Sequence, residues 1–238
     1  MKQKAKEALR KVYEKYNSLG LEAVYLDGSI LTRDFNPETS DVDSIGIVAD
    51  YFPSELEDII KIFLAEEYPK INKFGFRLLY KSELDGGPVR AFLSSVIEPQ
   101  ILLSELPDWE LVIGTPFTQK DFKLPIATYK ELQEMEIKKL IKFNWTIISK
   151  IGEGSGKHLN LLKTLVRYID YKQKERGIIN HPFSYLSVLE YAEEGEEKDI
   201  MKIIIDIKKN KWDYEMFQKN GVILQNFVNK LLTSLNSV

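Results

Sequence analysis

Asp41 and Asp43, separated by one residue, are the side chains of this sequence best suited to hold a metal ion. They begin the segment DVDSIGIVAD (41–50), whose apolar and β-branched residues predict a strand. Because side chains alternate along a strand, both carboxylates project to one face, about 7 Å apart. Ile45 and Ile47 continue that face into a core, which leaves the two acids at its solvent end. Magnesium is often held by one or two carboxylates together with a substrate's phosphates, so the pair predicts a magnesium site.

A Gly28-Ser29 turn precedes the two aspartates and follows a second apolar segment, LEAVYLD (21–27). Glycine at the end of a strand lets a phosphate approach the backbone closely, and the N–H groups that open the next turn are available to an anion. The hydroxyl of Ser29 adds a further donor. We therefore predict that Gly28 and Ser29 bind the phosphates of a nucleotide. Neither the dipeptide nor the D-x-D spacing is specific by itself, and the prediction depends on their combination.

The elements that must position these residues follow from the hydrophobic pattern. An amphipathic helix is predicted over 3–18, strands over 21–27, 41–50 and 74–80, and a helix that begins at Pro53 with Leu56, Ile59, Ile60 and Phe63 on its apolar face. Asn36-Pro37 marks a turn in the loop between the first two strands. A helix near 97–106 and a short strand within 109–117 complete this part of the chain.

Beyond Pro125 the strand signals end and long amphipathic patterns follow. They predict a bundle of helices near 127–151, 157–175, 183–194, 196–209 and 212–236, with breaks at 152–156 and 177–182. The whole chain is thus predicted to be α+β: a mixed sheet with flanking helices, followed by an all-α helical bundle.

Composition narrows the classes of function. The 238 residues contain no cysteine, so disulfides and thiolate metal sites are excluded. The formal charge of −3 gives no basic excess, and a nucleic-acid partner is therefore not expected. Apolar runs fall far short of the roughly 20 residues of a membrane helix, so no membrane partner is expected. The Lys-rich start does not resemble a signal peptide, and we expect a cytoplasmic protein.

The segment LDGSILTRDFNPETSDVDSIGIV resembles the signature of the DNA-polymerase-β-like nucleotidyltransferase superfamily. That signature is an apolar strand, Gly-Ser, a short loop, and then D-x-D opening a second strand. The match covers about 25 residues, and the order of a sheet domain before a helical domain is similar to that of the aminoglycoside adenylyltransferases. The resemblance implies a nucleotidyltransferase domain over 1–122 and a helical bundle domain over 123–238.

The same resemblance implies an activity. Gly28 and Ser29 would hold the triphosphate and Asp41 and Asp43 would bind Mg²⁺, with ATP as the substrate. An acceptor hydroxyl, on a small molecule or a protein, would attack the α-phosphorus and receive AMP, with release of pyrophosphate. Two metal ions commonly clamp the attacking and leaving oxygens in such reactions.

One position departs from the family's pattern. A third carboxylate is expected on a later strand, and that strand reads FGFRLLY, with Arg77 where the acid would stand. Glu83 and Asp85, just beyond the strand, are the candidates to replace it. Three alternatives follow. Arg77 takes over part of the charge role of a metal ion, or the enzyme works with a single metal ion, or Arg77 forms an ion pair with the two aspartates. In the last case the chain would be a catalytically degenerate module that senses nucleotide or binds a partner.

Lys163 and Arg167, four residues apart on one predicted helix, form a candidate basic pair. The segment LLKTLVRYIDY loosely resembles the helix that lends basic residues to the nucleotide in the aminoglycoside adenylyltransferases. The resemblance implies nucleotide binding by both residues, whereas the pattern alone favours a solvated basic helix face.

Overall fold

The computed structural model describes residues 1–69, 71, 73–141, 157–179 and 182–235. The chain folds into two compact units, Met1–Ala127 and Thr128–Val238. The first unit contains the sheet and the second is helical, so the predicted α+β class is confirmed. The assignment of functions to the ranges 1–122 and 123–238 stays a prediction.

Within its described residues, the first unit has four strands and five helices. In chain order these are α1 (Lys2–Tyr16), β1 (Leu21–Asp27), β2 (Val42–Val48), α2 (Leu56–Glu67), β3 (Phe74–Tyr80), α3 (Lys81–Leu84), α4 (Phe92–Val96), α5 (Pro99–Glu105) and β4 (Glu110–Gly114). Each predicted strand and helix is present here, and β1 and β3 have the predicted bounds.

The sheet is mixed, with the strand order β3-β2-β1-β4. β1 pairs antiparallel with both β2 and β4, whereas β2 and β3 run parallel. Because β2 and β3 are parallel, their starts lie together at one end of the sheet and their carboxyl ends lie together at the other. The register joins Val42 to Phe74 at the first end and Val48 to Tyr80 at the second.

Both faces of the sheet are covered, because the strands carry apolar side chains on both faces. On one face, α1 and α2 pack against a buried set that includes Val24, Leu26, Val48, Phe76 and Leu78. The opposite face packs against α5 and the segment that follows it, through Ala23, Tyr25, Ile45, Ile47 and Leu79. Asp43 shares the parity of Ile45 and Ile47, which are 3% and 0% exposed, so the predicted solvent end of this face is present.

Helix α2 differs in one respect from its predicted apolar face. Ile60 and Leu64 are buried, but Ile59 is 48% exposed. Successive residues on a helix are rotated by roughly 100°, so burying Ile60 and Leu64 turns Ile59 to the solvent.

The second unit contains α6 (Tyr129–Ile141), α7 (Lys157–Glu175), α8 (Tyr185–Tyr191), α9 (Glu196–Lys209), α10 (Tyr214–Lys219) and α11 (Gly221–Leu235). They enclose an apolar cluster to which every one of them contributes. The predicted break at 152–156 and the end of the helix predicted over 127–151 lie outside the described residues. The helix predicted over 212–236 is divided into α10 and α11. α10 starts only after Asp213, whose carboxylate accepts the Met216 N–H at 2.7 Å, and it ends at Lys219.

Candidate active site

The candidate site lies where β1 ends and β2 begins. Asp27, the last residue of β1, is the direct register partner of Asp43 in β2. Directly paired residues of antiparallel strands project to the same face with Cβ atoms roughly 5 Å apart. Two acidic side chains therefore face the same side of the sheet at this end. Gly28 follows Asp27 at once and opens the short 3₁₀ turn Gly28–Leu31.

The carboxylate of Asp43 lies between two glycines. A Cβ added to Gly28 would stand 3.1 Å from Asp43 Oδ2, and one added to Gly75 would stand 2.6 Å from Asp43 Oδ1. Gly28 also has a φ of +73°, which L side chains rarely adopt. Gly75 belongs to β3 and is the register partner of Asp43. The absence of two side chains thus creates the space that the Asp43 carboxylate occupies, and that carboxylate remains exposed to solvent.

Asp41 lies just before β2, which begins at Val42. Its Oδ2 atom is 3.2 Å from the Nζ atom of Lys73, the residue before β3. The Val42 N–H donates to the Lys73 carbonyl at 2.8 Å, so the parallel ladder holds these two segments side by side. The structure consequently brings together four of the residues discussed so far: Gly28, Asp41, Asp43 and, from outside the predicted set, Lys73.

No acid of β3 completes the site. The position opposite Asp43 is Gly75, and the next position on that face is Arg77, the register partner of Ile45. Arg77 Nη1 lies 3.2 Å from Glu57 Oε1, and its guanidinium is stacked 5.5 Å from the centre of the Phe92 ring. An ion pair between Arg77 and the two aspartates was expected as one alternative. That expectation was wrong, because Glu57 of α2 binds Arg77 at the outer edge of β3.

Glu83 and Asp85, the predicted substitutes for the third carboxylate, lie at the other end of the sheet. Both follow Tyr80, which is five residues, or about 16 Å, along β3 from Gly75. Glu83 is fully buried, and its carboxylate accepts the N–H groups of Tyr80, Arg90 and Ala91 and the Ser94 hydroxyl at 2.5 to 3.0 Å. Such a carboxylate organises the chain that follows β3.

Asp85 lines a separate cleft of about 650 Å³ at the carboxyl ends of β2 and β3. One of its oxygens accepts the Lys123 N–H at 2.9 Å. The structure does not bring Glu83 or Asp85 to Asp41 and Asp43, since the length of the sheet separates them. Glu83 and Asp85 are therefore too distant to serve as the third carboxylate of this site.

Lys163 and Arg167 both lie on α7 of the second unit, as the predicted helix required. Lys163 is exposed, and the Arg167 guanidinium lies 5.9 Å from the centre of the Phe183 ring. Their role in nucleotide binding stays a prediction.

The carboxylate oxygens at this site suit a magnesium ion whose remaining ligands are the phosphate oxygens of a nucleotide. Over the described ranges, no three His, Asp or Glu side chains are grouped so that they could hold a metal ion by themselves. Asp41 and Asp43 nevertheless supply exposed carboxylate oxygens at one end of the sheet, and two carboxylates plus phosphate oxygens form a common magnesium shell. The residues present therefore fit a cation that arrives with a triphosphate.

Two residues of the site lie outside the predicted set, Asp27, whose orientation the sequence left open, and Lys73. Asp27 immediately precedes the Gly-Ser turn, and an antiparallel pairing of the two strands around that turn would have placed it opposite Asp43. Predicting Lys73 would have required knowing that β3 runs parallel to β2, which no local pattern indicates.

In the part of the chain that is described, no helix is both long and apolar enough to traverse a bilayer.

Comparison with solved structures identifies a match in architecture. The crystal structure of spectinomycin adenyltransferase AAD(9) from Enterococcus faecialis with ATP and spectinomycin aligns with a TM-score of 0.58 at 12% sequence identity. The alignment covers 95% of this chain and 97% of that chain. No protein-family model and no curated protein matches the sequence. The likeness confirms, at the level of fold, the resemblance to the two-domain aminoglycoside adenylyltransferase type.

Proposed function

We propose that this chain is a magnesium-dependent nucleotidyltransferase that moves AMP from ATP to a hydroxyl of a small molecule or a protein. The observation that carries the proposal is the placement of the Asp43 carboxylate between Gly28 and Gly75, with Asp41 two residues before it at the start of β2. This is a solvent-facing acidic site next to a turn that can admit a phosphate. The shared fold of an adenyltransferase that was crystallised with ATP supports the same proposal.

In the proposed complex, Asp41 and Asp43 hold the magnesium ion and Gly28 and Ser29 bind the phosphates. A bound magnesium ion would supply positive charge against the triphosphate oxygens. The N–H groups that open the turn at Gly28 would donate hydrogen bonds to the phosphate oxygens. Catalysis would then depend mainly on positioning and on charge stabilisation.

The transfer forms a bond between the acceptor oxygen and the α-phosphorus and breaks the bond between that phosphorus and the bridging oxygen of pyrophosphate. Pyrophosphate leaves with the bonding electron pair. β3 reads FGFRLLY and supplies no carboxylate to take the acceptor's proton. Asp27 of β1 is not given that role in the proposal, and the proton is released to water. A slower reaction than one with a positioned general base is therefore expected.

A second candidate is a catalytically degenerate module that binds nucleotide without transferring it. Gly75 and Arg77 favour it, because they occupy the two positions of β3 nearest Asp43 on its face of the sheet. Both candidates require metal-dependent binding of a triphosphate, and they differ only in turnover.

Pyrophosphate release separates the two candidates. The full chain is incubated with ATP, Mg²⁺ and a panel of hydroxyl acceptors that includes spectinomycin, and pyrophosphate is measured with an enzyme-coupled assay. The matched variants are Asp43→Asn and, as a control, Asp58→Asn, which changes an exposed aspartate on α2. Acceptor-dependent release that is lost only in Asp43→Asn supports the transferase. ATP binding without release from any acceptor supports the binding module.

A further inference from the structure

We propose that Lys73 takes the place of a second divalent cation, so that the site binds a triphosphate with one metal ion and one ammonium group. The inference rests on the proposed function and concerns the same site. On β3, the two positions nearest Asp43 on its face of the sheet are a glycine and an arginine, Gly75 and Arg77.

Lys73 is held in position by the backbone and reaches the site with its side chain. Its carbonyl accepts the Val42 N–H, which ties the residue to the start of β2. Its Nζ atom lies 3.2 Å from Asp41 Oδ2. The lysine side chain is 68% exposed and the Asp41 side chain 39% exposed, so both groups remain open to a ligand from solution.

The ion pair is too exposed to have a role in stability. Ion pairs between exposed side chains contribute little to folding, because water screens them and two long side chains lose freedom. Its position is more informative, since it places a positive charge beside the first of the two metal-binding candidates. An ammonium group there would donate charge-assisted hydrogen bonds to phosphate oxygens.

The placement of the described acidic residues also favours one metal ion. Two carboxylates with phosphate oxygens commonly form the shell of one magnesium ion. A second ion at a separation of about 4 Å needs ligands of its own. β3 presents Gly75 and Arg77 there. Among the described residues, Asp27 is not grouped with Asp41 and Asp43 closely enough for the three to hold metal together. Arg77 is bound by Glu57 at the far edge of the strand, whereas the Lys73 ammonium group lies against Asp41.

The test uses the full chain and two probes, Mn²⁺ alone and the non-transferable analogue α,β-methylene-ATP. Electron paramagnetic resonance measures the affinity and number of bound Mn²⁺ ions, and calorimetry measures the affinity for the analogue at saturating metal. The variants are Lys73→Met and Lys73→Arg. Lys230→Met is the matched control, because Lys230 is 67% exposed and pairs with Glu196, which is 39% exposed.

For Lys73→Met, we expect the affinities for the two probes to change in opposite directions. Removing the ammonium group releases Asp41, so Mn²⁺ alone binds more tightly, while the analogue binds about tenfold more weakly because a charge-assisted contact is lost. Lys73→Arg keeps the affinity for the analogue within a few-fold, and Lys230→Met changes neither affinity. The wild-type complex with the analogue holds one Mn²⁺ per chain.

Three results would overturn the inference. The wild-type complex could hold two Mn²⁺ ions per chain, Lys73→Met could leave the analogue affinity unchanged, or it could strengthen binding of both probes, which would identify Lys73 as a group that obstructs the site. If the wild type binds the analogue through Asp43 but is indifferent to Lys73, only this inference fails. If the wild type does not bind the analogue at all, the proposed function fails with it.

Discussion

Asp43 and Gly75 face each other across the parallel strands β2 and β3, and the aspartate carboxylate occupies the space that a side chain on Gly75 would fill. A Cβ on Gly75 would lie 2.6 Å from Asp43 Oδ1, well inside contact distance. The Asp43 carboxylate can therefore take this position only because residue 75 is a glycine. A substitution at Gly75 would move the carboxylate without removing any charged group from the site.

Gly75→Ala is expected to weaken magnesium-dependent ATP binding by about tenfold or more, because the new methyl group displaces the Asp43 carboxylate. Calorimetry measures the affinity, and thermal unfolding shows that the variant is folded. Gly87→Ala is the control at the other end of the strand pair, where a Cβ would meet the Ser82 carbonyl oxygen at 2.7 Å. It should reduce stability and leave ATP affinity unchanged. Unaltered affinity in Gly75→Ala would show that ATP does not need this carboxylate position.

Gly28→Ala combines a backbone cost with a clash, and a matched glycine separates the two. Gly28 and Gly177 have φ values of +73° and +68°, but a Cβ on Gly177 would meet nothing within 4 Å. Each alanine is expected to cost about 1 kcal/mol of stability through backbone strain. Only Gly28→Ala should also weaken ATP binding, because its Cβ would press on Asp43 Oδ2. Equal ATP affinities for both variants would show that ATP binding does not depend on the Asp43 position that Gly28 permits.

Glu83 and Asp85 should differ in their effect on the free energy of unfolding. Glu83→Ala leaves three backbone N–H groups and the Ser94 hydroxyl without their acceptor, which should cost about 3 kcal/mol or more. Asp85→Ala removes one exposed bond to the Lys123 N–H and should cost about 1 kcal/mol or less. Urea denaturation measures both. If Asp85→Ala abolished metal-dependent ATP binding, Asp85 would have to be restored to the site.

Asp121 should make stability depend on pH at the acidic end. The Thr118 N–H donates to its carboxylate at 2.7 Å and the Thr118 hydroxyl at 2.9 Å, and these bonds hold the pKa of Asp121 below its ordinary value. A group with a lowered folded-state pKa stabilises the fold above its unfolded-state pKa, and this stabilisation is lost as the pH falls through the folded-state pKa.

Thr118→Val removes the hydroxyl bond and should raise the pKa of Asp121 towards its ordinary value. Carboxyl ¹³C NMR titration of wild type and variant measures the shift directly. An Asp121 resonance that titrates at the ordinary aspartate pKa in the wild type would contradict the prediction.

The strands that carry the site were predictable, because each is a short apolar segment bounded by a turn signal. LEAVYLD and FGFRLLY have the observed bounds of β1 and β3, and the Gly-Ser turn lies where it was expected. The partners of these residues were not predictable, since register depends on contacts between distant segments. Parallel pairing of β2 with β3 placed Lys73 beside Asp41 and moved Glu83 and Asp85 away from the site.

Local sequence patterns also failed to predict where one helix ends and which residues of another are buried. The helix predicted over 212–236 is apolar at helical spacing, yet Lys211 and Trp212 have φ values of 57° and 62°, and Asp213 caps a new helix. The predicted apolar face of α2 included Ile59, but tertiary packing selected Ile60 and Leu64. In both cases the hydrophobic pattern correctly indicated a helix, but its bounds or its buried face depended on packing within the whole unit.

Calorimetric titration of ATP into the full chain, with and without Mg²⁺, tests the site at Asp43 most directly. ATP is expected to bind the wild type and Asp58→Asn equally in Mg²⁺, to lose affinity when EDTA replaces the metal, and to bind Asp43→Asn at least about 100-fold more weakly. Binding that ignores Mg²⁺, or an Asp43→Asn variant that matches the wild type, would show that these aspartates do not form a metal–triphosphate site.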